Sequence, residues 1–267
     1  MADNQYNQIF RFFYVYWAFR TRLVTFGTMV SHKYNALFIH VPKAAGQSVE
    51  AFFLDLHGLE WEERLPLLLT PNEADKIGPP RLAHLHAGDY VRQYFISQED
   101  FDRYFKFGFI RNPWSRAVSF YKFHGHQHLM SFEKFVVTKL PQLIKEERWF
   151  YGPQYDFFYV NGQNKVDFIW KFEPLQDDFA KVCEVLEIPV QSLPHKNKSA
   201  QKGGLGSLKK FGNRFIKRPE TWPGLISKSG DKIKSKDYRD YYTPKLIAAV
   251  EVLYKEDVTA FDYSFED

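Results

Sequence analysis

Residues 42–48 carry residue types that can hold a phosphate or another oxyanion. They read PKAAGQS, after a short apolar run and before a stretch with helical spacing. Lys43 supplies a positive charge and Ser48 a hydroxyl donor, and backbone N–H groups at a helix start favour an anion. The small residues that allow close backbone approach are Ala44, Ala45 and Gly46. Because Lys43 precedes the glycine, this is not a Walker A sequence, and a capped structural turn would look similar.

A second segment repeats this layout at residues 107–121, which read FGFIRNPWSRAVSFY. Arg111 stands where the predicted strand ends, and Ser119 lies eight residues later in the predicted helix. A guanidinium group binds phosphate through a two-pronged fork, and a hydroxyl group can join it there. Two such loops on neighbouring strands predict a nucleotide with phosphates at two ends; a surface arginine and an ordinary helical serine are the alternative.

The elements that must position these residues alternate between strand and helix. Asn112 can cap the helix that follows Arg111, and Pro113 suits its first position. Thr243 and Pro244 are expected to begin the final helix in the same way. The predicted strands are 36–41, 104–110 and 166–172, and the predicted helices include 49–56, 131–140, 178–187 and 244–256. This alternation predicts an α/β fold with a central parallel sheet flanked by helices.

Composition is that of an ordinary globular protein; the length allows one α/β domain or two small ones, and we interpret residues 1–267 as a single domain. The chain is 45% hydrophobic and 25% charged, which excludes collagen-like, coiled-coil and disordered classes. The single cysteine, Cys183, permits no intramolecular disulfide and fits a small buried residue better than a nucleophile. No stretch approaches the ~20 apolar residues of a membrane span. With no signal peptide recognisable, a cytoplasmic, bacterial-style location is expected.

Two segments stand apart from this domain. Residues 1–35 form an aromatic extension. Its segment 9–26 is interpreted as a packed terminal helix, with an amphipathic helix at a membrane surface as the alternative. Residues 196–239 hold 13 Lys and Arg against 3 Asp and Glu, although the net charge of the whole chain is only +4. Such a concentration of positive charge attracts polyanions, while a solvated loop is the simpler interpretation.

The two loops resemble the nucleotide motifs of sulfotransferases that use 3′-phosphoadenosine 5′-phosphosulfate (PAPS). FIHVPKAAGQS is similar to their 5′-phosphosulfate loop, and FGFIRNPWSRAVSFY is similar to their 3′-phosphate motif. The likeness is to the carbohydrate-type branch, which includes heparan sulfate 2-O-sulfotransferase and bacterial family 2 proteins. It extends from residue 36 to residue 265 and implies a P-loop-NTPase-like sulfotransferase fold.

The resemblance also implies roles for single residues. Lys43 matches the lysine that neutralises charge on the leaving oxygen, and Arg111 with Ser119 matches the pair that holds the 3′-phosphate. Lys198 and Ser199, in LPHKNKS, are candidate nucleotide contacts. The 5′-phosphate is expected to lie against the backbone of Ala44, Ala45, Gly46, Gln47 and Ser48.

The resemblance places the catalytic base in an H-x-H pair. His86 matches the more widespread histidine and is the favoured base, while His84 orients the substrate or shares the role. An imidazole with a pKa near 6.5 suits a base at neutral pH. Two ordinary loop histidines are the alternative, and Glu50 would replace His86 if the geometry favoured it, because other branches use a glutamate just after the lysine loop.

Some features depart from the pattern or tempt another interpretation. Ala44 and Gln47 replace hydroxyl residues of the family loop, which removes one side-chain phosphate contact at most.

His124, His126 and His128 could suggest a metal, but no second ligand cluster supports one, so no metal is expected. The segment at about 201–237 is longer than in simple bacterial members, and we interpret this basic, irregular insertion as a lid or loop that holds an anionic glycan.

The sequence therefore predicts a PAPS-dependent O-sulfotransferase that releases 3′-phosphoadenosine 5′-phosphate (PAP). The expected acceptor is a hydroxyl group, on a saccharide that carries negative charge, with lipid-linked and phenolic acceptors left open. No nucleic acid partner is expected, and the oligomeric state is open. The alternatives are a small-molecule kinase on a similar sheet and a non-catalytic protein that binds polyanions or a membrane surface.

Overall fold

A four-stranded sheet forms the centre of the protein. The structure is a computed structural model that describes residues 30–44, 46–63, 79–173, 175–190 and 237–267. The strands are β1 (Val30–Ser31), β2 (Ala36–Ile39), β3 (Phe105–Ile110), β4 (Tyr159–Val160), β5 (Gln163–Asn164) and β6 (Phe168–Lys171). The sheet order is β1-β2-β3-β6, and β4 pairs only with β5 in a separate hairpin.

The three predicted strands are present and run parallel, as expected. Phe38 of β2 stands opposite Phe107 of β3, which stands opposite Phe168 of β6. The sheet is nevertheless mixed, because β1 pairs antiparallel with β2 through Val30 and Leu37. This short edge strand lies inside the 1–35 extension, of which residues 1–29 fall outside the described part.

Helices cover the sheet and build the rest of the described structure. They are α1 (Gly46–Leu56), α2 (Ala87–Arg92), α3 (Gln98–Arg103), α4 (Pro113–Phe123), α5 (Phe132–Lys134), α6 (Leu140–Glu146), α7 (Arg148–Tyr151), α8 (Tyr155–Phe158), α9 (Leu175–Val185), α10 (Pro244–Leu253) and α11 (Lys255–Phe261). A π-helical turn, Phe135–Lys139, joins α5 to α6, and short 3₁₀ turns occupy Trp61–Glu63, Leu82–His84, His126–His128 and Arg239–Tyr241.

Alternate residues of the strands enter two separate hydrophobic cores. Phe38 packs on one face with Phe107 and with Cys183 of α9, which is buried as expected. Leu37 and Ile39 point to the opposite face, into a core shared with α4 and α10. Gly108 faces that second core, where a Cβ would lie 2.4 Å from the Phe158 ring. Both faces of the sheet are therefore covered, which explains why its strands are nearly continuous apolar runs.

Local sequence signals set several boundaries correctly. Asn112 caps α4 by accepting hydrogen bonds from the N–H groups of Trp114 and Ser115 at 3.0 and 3.1 Å, with Pro113 at the first helical position. Thr243 stands at the start of α10, but its side chain makes no capping hydrogen bond. The β4–β5 hairpin was not predicted, although its Asn161-Gly162 turn, with φ angles of 51° and 79°, is a strong hairpin signal.

Candidate active site

The first loop connects β2 to α1 at the carboxyl edge of the sheet. Lys43 has a φ of 70°, which turns the chain sharply, and the Ala44 N–H donates to the Val41 carbonyl at 3.3 Å. Helix α1 then begins at Gly46. A Cβ on Gly46 would lie 1.7 Å from His40 Nε2, so the histidine ring occupies the space that any other residue would need.

The start of α1 presents the groups that sequence reasoning assigned to an anion. Ala44 and Ser48 are buried, and the side chain of Gln47 is exposed. The N–H groups of a helix's first turn have no partner within the helix and lie at the positive end of its dipole. Ala45, Lys198, Ser199 and the 201–236 part of the basic insertion lie outside the described residues.

The second loop connects β3 to α4 and brings Arg111 beside the first loop. Arg111 Nε donates to Ser115 Oγ at 3.0 Å, and its Nη1 donates to the Lys43 carbonyl at 3.4 Å. Ser119 is half-buried one helical turn beyond Ser115, on the same face of α4. The structure therefore brings Lys43 and Arg111 together and places Ser119 further along the same surface.

Arg116 fixes this arrangement from within the core. Its guanidinium is fully buried and donates to three backbone carbonyls: Pro42 at 3.0 Å, Gly152 at 2.8 Å and Phe150 at 3.3 Å. The bond to Pro42 holds the residue just before Lys43. Sequence reasoning missed this role, and the only available signal was the second arginine of RNPWSR.

The cations of the two loops repel one another. Burial, followed by the nearby charge of Arg111, lowers the pKa of Lys43 to about 8. Burial also lowers the pKa of Arg111 and that of Lys122 on α4, where Arg111 again contributes. Within the described residues neither Lys43 nor Arg111 forms an ion pair with a carboxylate; Glu173 only raises the pKa of Arg111 from a longer range. A bound anion would relieve this repulsion.

Aromatic rings hold the two cations in place. The Lys43 ammonium lies 3.9 Å from the centroid of the Phe123 ring, and the Arg111 guanidinium lies 5.0 Å from that of Phe172. Such contacts stabilise a partly desolvated cation by about 0.5–2 kcal/mol. These contacts compensate for part of the hydration free energy that each cation loses on burial.

His84 packs directly against the first loop. Its Nδ1 lies 3.2 Å from the His40 carbonyl oxygen, and the two rings meet edge to face with centroids 4.5 Å apart. The side chain is buried, and this burial, reinforced by His40, holds the pKa of His84 well below its usual range. His84 is therefore neutral and enclosed.

His86 lies in a different environment, two residues further along. It is half-buried, and its ring packs edge to face on Phe157 with centroids 4.5 Å apart. Its backbone N–H donates to Asp89 Oδ2 at 3.1 Å. Burial lowers the pKa of His86, while the carboxylates of Asp89 and Asp156 raise it. This histidine is more accessible than His84. The two acids favour its protonated form, but the arginines paired with them, Arg92 and Arg148, disfavour it, and the pKa is lowered overall.

The carboxylate of Glu50 contacts His40, the histidine that directly follows β2. Its Oε1 lies 2.6 Å from His40 Nδ1, and both side chains are buried. Since Glu50 is enclosed and paired, it is better placed to orient His40 than to receive a substrate proton. His40 was not among the candidate residues; its position directly after β2, two residues before Pro42, carried no separate chemical signal.

The H-x-H-x-H run packs among aromatic rings. The His124 ring lies 5.6 Å from that of Phe150, and the His126 ring lies 5.0 Å from that of Phe135. Across the described ranges, no group of three side chains is arranged to hold a metal ion. Nor does any helix among those residues have the length and apolar character needed to cross a membrane.

Comparison with known proteins relates most of this chain to one family. The family model described as "Sulfotransferase family" matches residues 27–264. A protein of Archaeoglobus fulgidus that is described only as uncharacterized is 34% identical over 101 residues, which are 35% of this chain and 77% of that protein. No solved structure matches the chain.

Proposed function

Because the chain belongs to the sulfotransferase family, we propose that it transfers a sulfuryl group from PAPS to a hydroxyl group of a carbohydrate. The observation that carries the proposal is the contact between Arg111 and Lys43 at the ends of adjacent parallel strands. Ligands of open α/β sheets bind at this edge. In this proposal the sheet and its two loops form a P-loop-like nucleotide site.

The first loop and the second loop would take opposite ends of the nucleotide. Helix α1 would offer its first N–H groups to the 5′-phosphate, and the Lys43 ammonium would stabilise the negative charge that grows on that phosphate as the sulfuryl group leaves. The Arg111 fork and the Ser119 hydroxyl would hold the 3′-phosphate. Among the described residues neither Lys43 nor Arg111 forms an ion pair with a carboxylate, which supports the binding of an anion by both loops.

The transfer step requires a group that accepts a proton. The acceptor oxygen forms a bond to sulfur, the bond from sulfur to the 5′-phosphate oxygen breaks with its electron pair going to PAP, and the acceptor proton moves to a histidine. We assign this base to His86, since it is half-buried and has Asp89 and Asp156 beside it. His84, enclosed against His40, would orient the first loop.

The acceptor is proposed to be a saccharide, and an acidic one would suit the basic 201–237 insertion. That segment falls outside the described residues apart from Asp237, so charge alone supports this part of the proposal. Deletion of residues 203–230 is expected to raise the apparent KM for an acidic saccharide. An unchanged KM would contradict the role of the insertion while leaving the nucleotide site intact.

Calorimetric titration with PAP and with ADP tests the proposal. We expect the wild type to bind PAP without added metal and to bind ADP much more weakly. Arg111→Ala should weaken PAP binding about 100-fold, because charged hydrogen bonds to one phosphate are lost. The matched control is Arg103→Ala, which removes an exposed arginine paired with Asp100 near the other end of β3.

Other outcomes would contradict the proposal. Equal binding of ADP and PAP would indicate a different nucleotide enzyme, and phosphate transfer that needs Mg²⁺ and ATP would identify a kinase. Salt-sensitive binding of acidic saccharides, with no PAP binding and no transfer of labelled sulfate from PAPS, would identify a non-catalytic polyanion-binding protein.

A further inference from the structure

The side-chain amide of Gln154 forms hydrogen bonds with both the N–H and the carbonyl group of Arg111. Its side chain is fully buried; Oε1 accepts a hydrogen bond from the Arg111 N–H at 2.9 Å, and Nε2 donates to the Arg111 carbonyl at 2.7 Å. One amide group therefore satisfies both main-chain polar groups of a single residue. Gln154 was not identified from the sequence, since 42 residues separate it from Arg111.

These two bonds take the place of sheet pairing at the point where β3 ends. The Ile110 carbonyl still accepts from the Phe172 N–H at 2.7 Å, and the Asn112 N–H already donates to Glu173 at 2.9 Å. Arg111, which lies between Ile110 and Asn112, forms its backbone hydrogen bonds with Gln154 and not with a neighbouring strand. Buried backbone groups need partners, and without Gln154 its N–H and carbonyl would lose theirs.

Gln154 is itself anchored on both sides along the chain. Two residues before it, the Gly152 carbonyl accepts a bond from Arg116 at 2.8 Å. Immediately after it, the Tyr155 N–H donates to Asp257 Oδ1 at 2.8 Å, and Asp257 is fully buried on α11. The amide thus extends from a segment that both the core arginine and the C-terminal helix hold.

We infer that Gln154 is a positioning residue that fixes the Arg111 backbone, so that the guanidinium reaches the phosphate at the 3′ end of the nucleotide. This inference rests on the proposed function. The bonds from Arg111 to Ser115 Oγ and to the Lys43 carbonyl both depend on where the Arg111 backbone lies. A displacement of about 1 Å is enough to lower the efficiency of a binding or catalytic group about 100-fold.

The test compares two nucleotides that differ only in the phosphate that Arg111 is assigned to hold. The affinities of PAP and 5′-AMP are measured by calorimetry for the wild type and for Gln154→Met, which has a similar size and no hydrogen-bonding amide. We expect the variant to lose at least tenfold in the ratio of PAP to 5′-AMP affinity, with 5′-AMP binding changed less than about twofold.

Three further variants separate positioning from structural support. Gln142→Met is the matched control, because Gln142 is exposed and its side chain bonds to Lys139 and Glu146 on the protein surface; its ratio should equal that of the wild type. Gln154→Glu keeps an oxygen that can accept from the Arg111 N–H, so it should give a ratio between those of the wild type and Gln154→Met. If Gln154→Met does not fold, Gln154→Glu still tests the inference. Added to Arg111→Ala, Gln154→Met should not change the ratio further.

Distinct results overturn the inference and the proposed function. If Gln154→Met weakens PAP and 5′-AMP equally, or leaves the ratio unchanged, Gln154 does not position Arg111. If the wild type binds PAP and 5′-AMP with equal affinity, the assignment of the 3′-phosphate to Arg111 is wrong, and the proposed function fails for a reason independent of Gln154.

Discussion

Arg111 Nη1 donates a hydrogen bond to the backbone carbonyl of Lys43 at 3.4 Å, so the loops after β2 and β3 are in direct contact. The same contact places two positive side chains close enough for Arg111 to lower the pKa of Lys43. This repulsion between neighbouring cations does not stabilise the fold. We propose that an anion binds between the two loops and relieves it.

The pH dependence of the reaction is expected to report Lys43. Its pKa is lowered to about 8, so the ammonium predominates below that pH and is lost above it. We expect kcat/KM to fall above pH 8, because a neutral amine cannot stabilise the leaving phosphate. Lys43→Arg keeps the charge at high pH and should remove this alkaline limb while lowering the absolute rate. A limb that persists in Lys43→Arg assigns the titration to another group.

The two histidines of the H-x-H pair should respond differently to substitution. His86→Ala is expected to lower kcat about 10²- to 10⁴-fold and to abolish the acidic limb of the pH–rate profile. That limb is expected below pH 6.5 in the wild type, because burial lowers the pKa of His86. Rates are measured with labelled PAPS across pH 5–9.

His84→Ala serves as the comparison within the pair. It should keep the acidic limb and lower thermal stability, since the enclosed ring packs on His40. His57→Ala is a control outside the site, because His57 contacts Ser31 beyond the end of α1. If His84→Ala loses the acidic limb and His86→Ala keeps it, then His84 is the base and His86 is not.

A methyl group at position 46 should disrupt the first loop. In Gly46→Ala the new Cβ would lie 1.7 Å from His40 Nε2, so the ring or the helix start must move. We expect unfolding free energy to fall by about 1–3 kcal/mol and PAP binding to weaken. The combined His40→Ala/Gly46→Ala variant should lose less than the sum of the single variants. Strict additivity, measured by thermal unfolding, would show that the two residues do not collide.

Stability should depend on the ionisation of Asp257. Burial raises its pKa from 3.8 to about 6, so the folded protein holds this proton more tightly than the unfolded chain. The unfolding free energy therefore decreases between pH 4 and pH 6, and the deficit, about 3 kcal/mol, persists above pH 6. Asp257→Asn should remove this decrease. Asp102→Asn, at an exposed aspartate bonded to Gln98, should retain it; equal pH profiles for wild type and Asp257→Asn would refute the assignment.

The sequence by itself determined the elements and the charges of the site. Strands β2, β3 and β6 were predicted from apolar runs, and the start of α4 from Asn112 and Pro113, because these signals depend only on residues close along the chain. Motif similarity identified the sulfotransferase family, which the family match confirms. The roles assigned to Lys43, Arg111, Ser119 and His86 remain proposals.

Only the tertiary structure decided how these residues are held. Arg111 contacts Lys43 from 68 positions away in the sequence. Gln154 contacts Arg111 from 43 positions away, and Asp257 contacts Tyr155 from 102. Such contacts depend on sheet order and on which polar groups remain unpaired once the core closes. Neither the sheet order nor the set of unpaired polar groups leaves a periodic pattern in the local sequence. The same reason hid the burial of Glu50 against His40.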